Sequence, residues 1–285
     1  MARLAMTTPL LGCLALCGGL ALPLAGATGA KADAAPPIGG GFTGVVAIPV
    51  DDPATKAIAG ALIKPAGAGP FPTVVYLPGC GNNDWPAPHA MAMATIEHLT
   101  SKGVATFFVD SFAARNEPNG VCGVMGNLDD PKTLPLVTRD SNDALAALKV
   151  VKTLPGVDTK HIFLMGYSYG GTGALMAVDK ANAAGQGTGV TGVIAYFPHC
   201  YQGADPAVPV LVMVGDKDDW TPAAKCQALT GKSGFELVVY PGLFHAFTYN
   251  FGKPADMLGH HMEFDAKATE DAQQRADAFI AAHLK

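Results

Sequence analysis

From residue 73 to residue 283, short apolar runs rich in β-branched side chains alternate with segments of helical spacing, and this alternation constrains the fold more than any other feature. The runs 73–77, 104–109, 161–165, 190–197, 208–214 and 235–240 are each followed by Pro, Asp or Gly, and they predict buried strands. The segments 89–102, 140–154, 172–182, 222–230 and 265–283 predict helices. Residues 42–50 and 57–64 form two earlier strands, suited to an antiparallel hairpin. Strand and helix in alternation call for an α/β fold, a mostly parallel twisted sheet of about eight strands with helices on both faces. Ligands of such sheets bind at the carboxyl ends of the strands. The composition agrees: 49% of residues are hydrophobic and only 15% charged, as a sheet buried on both faces requires. The core is one domain, 42–285, without an internal repeat. The stretch 111–139 is longer than ordinary connections, and long loops often carry function.

The N-terminus predicts the compartment. Arg3 precedes an apolar stretch over 10–24 that is broken by Gly12, Gly18, Gly19 and Pro23 and followed by Ala25-Gly26-Ala27. That pattern fits a signal peptide over 1–27, with a Pro/Gly-rich linker over 28–41, and it is too short and Gly-rich for a spanning helix. Ala32-Asp33-Ala34 is a second candidate for cleavage, and Cys13 supports a lipoprotein only weakly, because so little apolar chain precedes it. An exported protein, periplasmic or secreted, without stable membrane insertion is expected. A net charge of −5 and the lack of any Lys/Arg run exclude the electrostatic term on which sequence-independent nucleic-acid binding depends.

Gly166-Tyr167-Ser168-Tyr169-Gly170 matches Gly-x-Ser-x-Gly where a strand meets a helix. In that setting the serine sits on a sharp turn that projects its oxygen into a site, and the glycines let strand and helix approach closely. At the helix N-terminus the amide of Tyr169 can donate to an oxyanion. A serine hydroxyl is a weak nucleophile and needs a base, which needs a carboxylate, here in the chain order Ser, Asp, His. Gly215-Asp216-Lys217-Asp218-Asp219-Trp220-Thr221-Pro222 and Pro241-Gly242-Leu243-Phe244-His245 each lie just past a strand. His245 is therefore the base, since His89, His98, His161 and His283 lie in helices or at a strand start and His199 comes before the aspartate loop. Asp218 is the preferred acid and Asp219 the reserve, because Asp216 directly follows the turn glycine.

These motifs, with Pro78-Gly79-Cys80-Gly81, Asp110-Ser111-Phe112, Arg115 and Tyr240-Pro241-Gly242-x-x-His245-x-Phe247, resemble the dienelactone hydrolase family of the α/β-hydrolase superfamily over nearly the whole mature chain. The resemblance implies Asp218 as triad acid, four residues before Pro222. It implies a second oxyanion donor in the 78–81 turn, the amide of Cys80 with Leu77 or Gly81 as alternatives, and a substrate carboxylate held by Arg115. Two departures stand out. The family's namesake uses a cysteine nucleophile where this chain has Ser168, and it carries a second substrate-binding arginine four residues past the histidine, where this chain has Tyr249. Ester or lactone hydrolysis without a cofactor follows, with acyl transfer or peptide cleavage on the same triad, or a non-catalytic binding protein, as the competing functions.

Of the six cysteines, four remain after export, and their positions in loops after neighbouring strands pair Cys80 with Cys122 and Cys200 with Cys226. Trp85, Tyr167, Tyr169 and Trp220 sit close to the catalytic turns and are expected to line the acyl or alcohol pocket. His260-His261, close to Asp256, Glu263 and Asp265, lacks the spacing of paired metal ligands and predicts a solvated loop.

Overall fold

The structure, a computed structural model, describes residues 38–81, 83–125, 130 and 132–285. The expected signal peptide, both candidate cleavage positions and the expected linker up to residue 37 lie outside the described residues.

An eight-stranded sheet forms the centre, in the order β1-β2-β4-β3-β5-β6-β7-β8. Its strands are β1 (Val45–Pro49), β2 (Ala57–Ile63), β3 (Phe71–Leu77), β4 (Ala105–Asp110), β5 (Val157–Tyr167), β6 (Val190–Tyr196), β7 (Val210–Gly215) and β8 (Phe235–Tyr240). β1 and β2 form the expected antiparallel hairpin, β2 also runs antiparallel to β4, and every pairing from β4 to β8 is parallel. Side chains alternate across the sheet as the two-residue strand period demands. Val75, Leu77, Phe107, Val109 and Leu164 enter the core beneath α3 (Leu134–Val151) and α4 (Tyr169–Ala177). Val74, Tyr76, Phe108, Phe163 and Tyr167 enter the core beneath α1 (Pro86–Ser101) and α6 (Ala266–Ala282). Covering both faces is what makes the central strands continuously apolar. Among the described residues no helix is long and apolar enough to cross a membrane.

Several elements differ from expectation. The helix expected over 222–230 is the shorter α5 (Ala223–Gln227). The long stretch after β4 is partly ordered into a 3-10 turn over Ala113–Arg115 and the short helix α2 (Cys122–Met125). α3 starts at Leu134 rather than residue 140, with Pro135 in its first turn, where a missing N–H costs nothing. Between β8 and α6 the expected loop contains a small hairpin, β9 (Ala255–Met257) and β10 (His260–Met262). Its two turn residues, Leu258 and Gly259, both have positive φ, the conformation of a tight hairpin turn. The residues just before β1 are tied to the sheet: the Gly39 amide donates to the Asp110 carboxylate (2.6 Å), and Phe42 stacks on Phe108. The two disulfides join Cys80 to Cys122 and Cys200 to Cys226, as expected.

Candidate active site

Ser168 lies between the end of β5 and the first residue of α4, at φ 51° and ψ −111°, a backbone conformation rare for a residue with a Cβ. The turn is held from both sides. The Ser168 amide donates to the Tyr196 carbonyl on β6 (2.9 Å), and the Ser168 carbonyl accepts from the amide and the hydroxyl of Thr172. The two motif glycines are required by contact: a Cβ on Gly166 would lie 2.2 Å from the Gly170 carbonyl oxygen, and one on Gly170 2.3 Å from that of Leu77. Gly170 thus brings α4 against the end of β3 and the 78–81 turn that follows it.

β7 and β8 deliver the other two groups. Their trailing loops are stitched together by the Asp216 amide on the Tyr240 carbonyl (3.0 Å) and the Lys217 amide on the Leu243 carbonyl (2.9 Å). His245 Nε2 is 3.0 Å from Ser168 Oγ, and His245 Nδ1 is 2.8 Å from Asp218 Oδ2. Asp218 and His245 are each 3% exposed, so water competes little for these bonds. The Asp218 carboxylate is further oriented by the amides of Trp220 (3.0 Å) and Thr221 (2.7 Å) and by the Thr221 hydroxyl (2.7 Å). Asp216 and Asp219 are engaged elsewhere: Asp216 accepts from the Gly242 amide, and Asp219, largely exposed, pairs with His260. Neighbouring aromatic rings fix the His245 ring, with Phe197 edge-on at 5.0 Å and Trp220 tilted at 5.1 Å.

In front of Ser168 is an open cleft. Trp85 and Trp220 line it, as expected, together with Cys80 and its disulfide partner Cys122. The Cys80 carbonyl also accepts from the Val121 amide (2.7 Å), so a covalent and a hydrogen bond both tie the 78–81 turn to the stretch after β4. Tyr169 is fully buried, with its hydroxyl donating to the Leu136 carbonyl (2.7 Å). Its amide opens α4, where N–H groups have no acceptor within the helix.

Three expected pocket residues lie elsewhere: Tyr169, buried as just described, Arg115 and Tyr167. Arg115 has its side chain 2% exposed, and its donors are committed. Nη1 and Nη2 make a two-pronged pair with Asp143 (2.7 and 2.9 Å), Nη1 also reaches the Ser111 carbonyl (2.7 Å), and Nε bonds Asp52 (2.9 Å). Burial raises the Asp143 carboxyl above its ordinary range, and Arg115 pulls it back down. Tyr167, as the last residue of β5, points into the α1/α6 core, stacked on Tyr196 at 4.4 Å, because the strand alternation puts it one residue out of phase with the site.

Lining residues that were not anticipated include Phe197, Tyr249, Phe251, Met257 and Met262. The β9–β10 hairpin brings in the methionines, anchored by a parallel bridge from His245 to Met262 and by the His260 ring stacked on Trp220 at 4.7 Å. An apolar residue, then Leu258-Gly259 as a two-residue turn, was the available signal. His260 and His261 pair with different carboxylates, Asp219 and Asp256.

Known structures share the fold. A dienelactone hydrolase from Anabaena variabilis is 20% identical, with 85% of this chain and 97% of that one covered and a TM-score of 0.58. A dienelactone hydrolase-like promiscuous phosphotriesterase, P91, from metagenomic libraries is 18% identical, with 84% and 98% covered and a TM-score of 0.64. A thermophilic esterase from the planctomycete Thermogutta terrifontis is 16% identical, with 87% and 94% covered and a TM-score of 0.59. No curated protein matches the chain. The family model of the dienelactone hydrolases matches residues 58–284, and the chain therefore belongs to the dienelactone hydrolase family.

Proposed function

We propose that the protein is a serine hydrolase of carboxylic esters or lactones that works through an acyl-enzyme on Ser168. The observation that carries this is the continuous hydrogen-bonded line from Ser168 Oγ through both nitrogens of His245 to Asp218, at 3.0 and 2.8 Å. As the Oγ–carbonyl carbon bond forms, His245 Nε2 takes the hydroxyl proton. The ester C–O bond then breaks, and that proton passes to the leaving alkoxide. Water, deprotonated by the same nitrogen, attacks the acyl-enzyme, releases the acid and restores the serine. Asp218 holds the Nδ1–H tautomer and offsets the imidazolium charge, and the amides of Cys80 and Tyr169 stabilise the oxyanion. The reaction needs no cofactor. An oxidising compartment outside the cytoplasm suits the protein, on the support of the signal-like sequence over 1–27 and the two disulfides. A fluorophosphonate probe should label Ser168, and Ser168→Ala should abolish hydrolysis of a short-chain aryl ester. Full activity in that variant would refute the assignment.

A further inference from the structure

We infer that the substrates of this site are uncharged esters with apolar acyl groups, and that carboxylate-bearing esters and lactones are excluded. The inference rests on the proposed hydrolase and narrows it.

Among the described residues, no Lys, Arg, Asp or Glu lines the cleft. The undescribed positions within the domain, 82, 126–129 and 131, contain no Lys or Arg either. Two arginines in the region after β4 are already paired. Arg115 is closed into its pair with Asp143 and Asp52, and Arg139 makes a two-pronged pair with Glu117 at 2.8 Å on each arm. Lys217, past β7, lies over the Phe244 ring rather than in the cleft.

At the position where an arginine could have met a carboxylate stands Tyr249, buried and lining the cleft. Burial holds its phenol well above the ordinary range, so it remains neutral, and its oxygen takes a hydrogen bond from the Gly79 backbone. Its O–H can meet a carbonyl or ether oxygen. A single neutral donor cannot offset the desolvation of a whole anionic charge. The remaining walls, including Trp85, Phe197, Trp220, Phe251, Met257 and Met262, match an aliphatic or aromatic group.

Three esters with one leaving group test this on the full chain: 4-nitrophenyl hexanoate, the mono-4-nitrophenyl ester of adipic acid, and the methyl 4-nitrophenyl diester of adipic acid. The first two have acyl chains of equal length and differ in the terminal carboxylate; the third covers that charge with a methyl. At pH 7.5, kcat/KM for the carboxylate ester should fall at least 100-fold below hexanoate, about 2.8 kcal/mol at 1.4 kcal/mol per decade. The methyl-capped diester should return to within about fivefold of hexanoate. Met257→Arg, which adds a cation to the wall, should narrow the gap at least tenfold, whereas Arg115→Met should leave the ratio unchanged. Comparable turnover of hexanoate and the carboxylate ester, both abolished by Ser168→Ala, would overturn the inference while leaving the hydrolase in place. Selective loss of the anionic substrate in Arg115→Met would overturn it as well. Absence of both probe labelling and ester hydrolysis would remove the hydrolase, and the inference with it.

Discussion

Replacing Arg115 by Met separates a structural ion pair from a substrate clamp. The change keeps a long apolar stem but removes the positive charge paired directly with Asp143, whose side chain is 1% exposed. Left alone, a buried carboxylate escapes its charge by taking up a proton. The unfolded chain ionises the same group near pH 3.9, so the native state pays at most about 1.4 kcal/mol for every pH unit above that value. The ceiling is therefore about 4 kcal/mol at pH 7 and about 1.5 kcal/mol at pH 5, consistent with the 3–5 kcal/mol typical of breaking a buried pair. The sign follows from the raised folded pKa. The native state of the variant binds the extra proton, so its stability is fully present below about pH 4 and is lost as pH rises. Asp52 contributes little, since its carboxylate is nearer the surface, at 12% exposed, and is held by the Ala54 amide as well. Urea denaturation of wild type and variant at pH 5 and pH 7 reads the difference directly. The double variant Arg115→Met/Asp143→Leu removes both charges and should recover most of the loss and all of its pH dependence. A loss below about 1 kcal/mol at pH 7, a loss equal at both pH values, or a double variant no more stable than the single one would refute the assignment of Arg115 to the scaffold.

Two further substitutions probe the site. Asp218→Asn should lower kcat by roughly 10³- to 10⁴-fold through the wrong His245 tautomer, whereas Asp219→Asn, at an exposed pair, should stay within about twofold; steady-state kinetics on one aryl ester compares them. Cys122→Ser and Cys200→Ser open loops of similar size, spanning 42 and 26 residues, and should each cost about 3–4 kcal/mol in urea denaturation. Only the first should also lower kcat/KM, by about tenfold, because only that disulfide lines the cleft and anchors the 78–81 turn. Equal turnover in the two cysteine variants would show that the bridge acts on stability alone.

Legibility differed sharply among residues. β8 spans 235–240 as expected, since five apolar or aromatic residues, interrupted only by Glu236, lie between the breakers Gly234 and Pro241. Ser168 could be placed because its glycines record close approaches that any Cβ would block. Tyr167 was misplaced although it is adjacent: being next to Ser168 in sequence puts a strand residue on the opposite face. The β9–β10 hairpin escaped notice because three-residue strands carry too little periodicity to register, and their packing comes from Trp220 and His245, far away in the chain.

The sequence by itself determined the layered α/β architecture, the strained turn at Ser168 and the order in which serine, aspartate and histidine follow successive strands, because all of these are written in spacing over a few residues. Only the tertiary structure decided what Arg115 does. Its partners Asp52 and Asp143 are 63 and 28 positions away, and the long-range contacts between its turn, the chain after β1 and helix α3 turn a residue suited to hold a substrate carboxylate into one that holds the scaffold. The same contacts leave the cleft without a cation. Local pattern specifies which element a side chain sits on; which charge it meets depends on how elements distant in the chain are brought together.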